Sequence, residues 1–358
     1  MEAGDNGSHP YPLPNWVDPA LIKQGQEFVR QNFFSVFFAH FISLIFLLSY
    51  TPVKLTLLKT QETDTSFKSL RRYLSTLLHI KLWYEEDLLT PTGKAAEDAY
   101  KIRKIHGAIA KKFHRLGYSI EEENNGHSDP VSSAVEEDMK RGTIDDLPQS
   151  IMIDNYNTFK NAPVTKQIFV SQLDMAVTQY AFVGFIVMFP TVFGIWGTEN
   201  QKGLQGFQHL WAVLGHLLGI EDKFNFCIPN NLDDRKKQRE CILYKVILPE
   251  MRFCNANTVT LWRSLINGWS LTVPFLSFNG VLLFAIRNVA KFKGETVAAM
   301  MNVYDRFCYS FMCVCFKRMD CYMVVAILNF LLRILVGICQ TMYIKRYRGS
   351  QTIAVTNV

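Results

Sequence analysis

Apolar residues recur at three- and four-residue steps through most of this chain, the spacing of helices with one inward face, and no segment sustains period-two alternation between hairpin turns. Segment 95–113 shows the pattern most sharply. Ala99, Ile102, His106, Ile109 and Phe113 share a face, while Lys101, Lys104, Lys111 and Lys112 lie elsewhere on the cylinder. The ring of His106 is therefore directed inward. A neutral imidazole facing a dry cavity is what an axial iron ligand requires, and a hydrogen-bonded core histidine is the alternative. About thirty residues upstream, Arg72, Thr76 and His79 fall at i, i+4 and i+7, a polar stripe on a helix whose other face carries Phe67, Leu70, Leu74 and Leu77.

The remaining pattern predicts an all-α bundle. Residues 1–16 are irregular, 17–32 read as a helix, and 33–50 form an apolar run containing Ser35, His40, Ser43 and Ser49 that Pro52 ends. That run sits at the lower limit for crossing a bilayer. Thr65 or Ser66 caps the Arg72 helix after a polar loop. From 121 to 149 the composition turns to Glu, Asp, Asn, Ser and Gly, which predicts a mobile acidic insertion. Pro163 and Thr165 open a long helix ending before Pro190, on which Ser171, Asp174 and Thr178 make a polar stripe; Asp174 is buried and paired there, or part of a reactive site. Segment 204–220 is apolar nearly all round and predicts a central helix, with His209 and His216 sharing a face either as packed core residues or as pocket lining. Further helices are predicted over 233–250, over 258–290 with bends at Pro274 and Gly280, and over 293–307. The main helical domain then spans 17–310, and 321–346 is an apolar C-terminal helix that could anchor the chain in a membrane.

Composition narrows the function classes. With 49% hydrophobic residues among 358 and a mean hydropathy of +0.05, the chain can fill a large core and lies between soluble and multi-span averages. Its net charge of +6 is spread along helices or grouped at Lys345, Arg346 and Arg348, without the basic–aromatic interleaving of a nucleic-acid groove, so anionic lipid is the better partner. Eight cysteines, four of them at 308, 313, 315 and 321, match no zinc or iron–sulfur spacing and read as free thiols of a cytosol-facing protein. Residues 1–16 are polar and Pro-rich, unlike a cleavable signal. No Gly-rich phosphate loop follows a strand, and no Gly-x-Ser-x-Gly or His-Glu-x-x-His motif occurs.

The stretch Ser69-Leu70-Arg71-Arg72-Tyr73-Leu74-Ser75-Thr76, with a histidine about thirty residues later, resembles the Arg-x-x-x-Thr element of the family containing the rubber oxygenases (latex-clearing proteins) and the ER-bound mpaB-type oxygenase of mycophenolic acid biosynthesis. Two further stretches resemble that family, one beginning at Ser171 and one at His209, so the likeness spans roughly residues 28–290. It implies a helical bundle with a globin-like core, a cofactor site between helices, haem b held by His106, and Arg72 and Thr76 as the distal pair. Arg103, beside the His106 stripe, would neutralise a haem propionate. Where the family has a lysine before the threonine this chain has Ser75, and Thr56 falls near the position of the family's acid.

The resulting expectation is a haem-dependent oxygenase-like protein that uses dioxygen on an apolar isoprenoid or lipid substrate, membrane-associated at the endoplasmic reticulum. His79, Asp174, Thr178, His209 and His216 are candidate pocket residues. The alternatives are a non-catalytic haem- or lipid-binding scaffold and a multi-pass membrane protein.

Overall fold

Helix α1 (Pro19–Gln31) starts where the Asp18 side chain accepts from Ala20 N at 2.8 Å and stops at Asn32, after which the axis turns by 90° into α2 (Phe33–Leu47). A computed structural model describes residues 2–118, 129–141, 168–228 and 232–347. The chain continues through α3 (Thr51–Thr60), α4 (Ser66–Glu85), α5 (Lys94–Arg115), α6 (Pro130–Arg141), α7 (Gln172–Met188) and α8 (Thr198–Leu217). Then come α9 (Leu232–Cys241), α10 (Leu248–Arg252), α11 (Ala256–Ser270), α12 (Phe278–Phe284), α13 (Glu295–Ala299), α14 (Val303–Lys317) and α15 (Tyr322–Tyr347). The protein is an all-α bundle, and the described residues hold one isolated bridge, Ala3 with Ser171.

Two central helices organise the core. Helix α2 buries Val36, Ile42, Ile45 and Phe46 completely, and α8 buries Phe207, Leu210, Val213 and Leu214, as an all-round apolar helix must. The apolar run at 33–50 is thus a core element. Helix α1 crosses α8 at Gly25 and Gly206, where a Cβ on Gly25 would meet the Gly206 carbonyl oxygen at 2.4 Å. Helix α11 lies along α4 in the same manner, with Gly268 against the Ser66 backbone.

Three boundaries differ from the sequence expectation. Helix α7 begins at Gln172, because Ser171 and Asp174 form a capping box: Ser171 Oγ accepts from Asp174 N at 3.2 Å and Asp174 Oδ2 accepts from Ser171 N at 2.8 Å. The polar stripe at Ser171 and Asp174 is therefore first a helix start. Within 121–149, residues 130–141 form a helix that buries Val131, Ala134, Val135 and Met139, and its Asp138 accepts from Thr296 N and Val297 N at 2.7 and 2.9 Å, capping α13. The rest of that insertion, with Pro163 and Thr165, lies outside the described residues. The single bent helix expected over 258–290 is two, α11 and α12, the second capped by Ser277.

Helix α15 is held by two polar side chains. Asn329 accepts from Phe34 N at 2.8 Å and donates to Gln31 O at 2.7 Å, while Arg333 donates to Arg30 O at 2.8 Å with its guanidinium 4.4 Å from the Phe33 ring centroid. Both grip the α1–α2 bend, where the break leaves backbone groups open. The rest of the helix presents Tyr322, Met323, Ile327, Phe330, Leu331, Ile334 and Ile338 outward. Among the described residues, Tyr322–Thr341 is the one helix that is by itself long and apolar enough to cross a bilayer.

Candidate functional site

Helices α2, α3, α4, α5, α7 and α8 enclose a cavity of about 540 Å³. The stripe on α4 supplies Arg72, Ser75, Thr76 and His79, and α5 supplies Ile102, Ile105, His106 and Ile109. Because α4 packs on α5, the two sequence features read separately meet at one site. Leu44 and Leu47 of α2, Leu48 just after it, Val53 and Thr56 of α3, and Trp211 of α8 complete much of the wall, which is mostly hydrocarbon.

His106 is half-buried, and its Nδ1 is buried without a hydrogen-bond partner. Burial, with a smaller contribution from the positive charge of Arg72, pulls the ring down to about 4, so it is neutral at physiological pH. A neutral imidazole on the wall of a cavity of this size, with no protein partner at Nδ1, is of the kind that could hold a haem iron. Removal from water also lowers the pKa of Arg72, although Tyr73 and Glu62 oppose this. Thr76 Oγ1 is turned to the Arg72 carbonyl oxygen of its own helix at 3.2 Å.

His79 lines the cavity with its ring fixed from behind. Its Nδ1 lies 2.9 Å from each carboxylate oxygen of Asp98, which also accepts from Trp83 Nε1 at 2.8 Å. Such a carboxylate sets the tautomer and orientation of an imidazole. Asp174 reaches the wall too, but both oxygens are engaged: Tyr50 Oη donates to one at 2.9 Å and Ser171 N to the other. Burial nevertheless raises Asp174 above the ordinary carboxylate range. Thr178 also lines the cavity and bonds the Asp174 carbonyl oxygen at 2.7 Å.

Three expected residues are placed elsewhere. Arg103 is buried and is not among the residues lining the cavity; it bonds Asp5, the Asn6 side chain and the Ser8 carbonyl oxygen, and its Nη1 is buried without a hydrogen-bond partner. His209 accepts from Asp18 N at 2.8 Å at the start of α1, and His216 Nε2 lies 3.0 Å from Pro10 O; both rings meet the Trp16 ring edge to face. They fasten residues 10–18 to α8. From residues 204–220 the cavity is lined by Trp211, Gly215, Leu218 and Ile220, and from residues 181–189 by Phe182.

The sequence gives little sign of a polar network behind this wall. Trp211 Nε1 donates to Tyr84 Oη at 2.9 Å, His40 Nε2 lies 2.9 Å from the same oxygen, and Trp211 stacks on Phe182 at 4.9 Å. Burial holds His40 neutral, down to about 3. Its one legible sign is a histidine inside the apolar run of α2.

No family model matches the chain, and no curated protein matches it. Among solved structures, the chain is similar to one described as latex clearing protein LCP in the closed state, with a TM-score of 0.55 at 17% identity, covering 92% of this chain and 76% of that one. At that identity the likeness is one of architecture, and it runs over nearly the whole chain. The six-helix cavity with His106, Arg72 and Thr76 on its wall is thus built on a fold related to that of latex clearing protein.

Proposed function

We propose that this cavity binds haem b through His106 and that the protein is a haem-dependent oxygenase-like enzyme using dioxygen on an apolar substrate of isoprenoid or other lipid type. The observation that carries the reading is the neutral ring of His106, with no hydrogen-bond partner at its buried Nδ1, on the wall of a hydrocarbon-lined cavity, with Arg72 and Thr76 on the adjoining helix. The fold likeness to latex clearing protein supports it. Bound haem supplies oxygen activation. The chain's own residues would hold and orient: His106 would hold the haem, Arg72 would offer donors toward dioxygen or the substrate, Thr76 Oγ1, whose hydrogen goes to the Arg72 carbonyl oxygen, would offer an acceptor, and the aliphatic wall would exclude water. The decisive experiment is the absorption spectrum of the purified protein and of His106→Ala. A Soret band in the first and its loss in the second support the reading; no haem uptake by the wild-type chain refutes it.

A non-catalytic haem- or lipid-binding scaffold is the second reading. It is favoured by Ser75, which lines the cavity and stands where the resembled family carries a lysine, and by Thr56, which also lines it, is uncharged and falls near the spacing of that family's acid. Substrate consumption under dioxygen separates the two. The exposed apolar face of α15 and the basic residues Lys345 and Arg346 that follow its apolar part support attachment to a membrane, which we place at the endoplasmic reticulum with the bundle facing the cytosol.

A further inference from the structure

Arg72 is a permanent cation on the wall of an apolar cavity, and among the described residues no acid touches it; Glu62 acts on it only through space. Its guanidinium has no hydrogen-bond or ion-pair partner, although its donors suit a carboxylate or phosphate bidentately. The acids on the same wall are already engaged. Glu62 is 2.5 Å from Arg71, and Asp174 is held by Tyr50 and Ser171. Thr56, also on the wall, is uncharged and gives its hydroxyl to Pro52 O at 2.8 Å. An uncompensated charge in low dielectric is costly, and an incoming anion relieves that cost where a neutral ligand would add to it.

We infer that the molecule this cavity accepts is an apolar chain ending in an anionic head, a carboxylate or a phosphate monoester, with the head on Arg72 and the chain along Leu44, Leu48, Val53, Ile105 and Ile109. This deepens the reading of the cavity as a substrate site and rests on it. It also gives the site a polarity: a fixed head would set which carbon of the chain lies nearest His106.

The test titrates the full-length protein, haem-free and haem-loaded, with dodecanoate, dodecyl phosphate and dodecanol. At least one anion should bind about 10-fold or more tightly than the alcohol in both forms, the two anion arms showing which head is preferred. Arg72→Gln should reduce anion affinity to that of the alcohol with the helical circular dichroism unchanged, and Thr56→Glu should do the same by supplying an internal anion. Equal affinities in the wild-type chain, or a preference that survives Arg72→Gln, would overturn the inference. A preference that vanishes on haem loading would also overturn it, by assigning Arg72 to a haem propionate. Haem uptake is read from the Soret band of the same samples. A chain that takes no haem yet keeps an Arg72-dependent preference would refute the oxygenase reading alone.

Discussion

His106 makes no hydrogen bond through its buried Nδ1, so replacing it removes a cavity-facing ring and no polar contact there. His106→Ala is expected to change stability by no more than ~1–2 kcal/mol while abolishing haem uptake, checked by urea unfolding and by titration with hemin. The same residue and His40 also set a pH dependence. Both are held neutral, His106 to about 4 and His40 to about 3 against an ordinary 6.5, so below that value the unfolded chain takes up protons that the fold refuses. Stability should be full above pH 6.5 and fall as the pH drops toward 4, with a slope of up to about 1.4 kcal/mol per pH unit for each ring. Urea midpoints at pH 7.5 and 5 measure it, and His106→Ala should show the smaller fall; equal midpoints at the two pH values would mean that the rings are not shielded from water.

At the scale of elements, the crossing of α1 and α8 depends on two glycines packed backbone to backbone. Gly206→Ala should lower stability by about 1–3 kcal/mol, because its new Cβ would lie 2.6 Å from Gly25 N, an atom that cannot move without shifting α1. Ser171→Ala should cost about 1 kcal/mol by opening the α7 cap. Thermal melts of both variants check these values. Elements of this kind are legible in sequence to different depths. The inward face of α5 and the stripe on α4 follow from spacing alone, and so His106, Arg72, Thr76 and His79 are found together on one wall. Arg103 was not legible, since its partner Asp5 is 98 residues away and periodicity carries no information about such pairs. The same holds for His209, whose partner Asp18 is 191 residues distant. Helix α6 was hidden for another reason: its apolar set of Val131, Ala134, Val135 and Met139 sits in a segment whose overall composition is polar.

For the molecule as a whole, α15 divides the bundle from whatever lies beyond its exposed face. Carbonate extraction should leave the full-length chain with membranes and release a chain ending after Asp320, whereas soluble recovery of both would assign α15 to a water-exposed role. Asn329 and Arg333 keep one edge of the helix on the bundle, and Arg333 at the bilayer centre would cost at least ~2.5 kcal/mol. The opposite end of the chain carries a different consequence. Residues 2–18 are laced to partners made far later in synthesis: Gly4 N bonds Val170 O, Gln172 N bonds Glu2 O, and Trp16 bonds Asp222 across 206 positions. Arg103 and His209 close on the same segment. In a nascent chain this strap therefore stays loose until α8 has left the ribosome, so a segment made well ahead of its partners is among the last to settle.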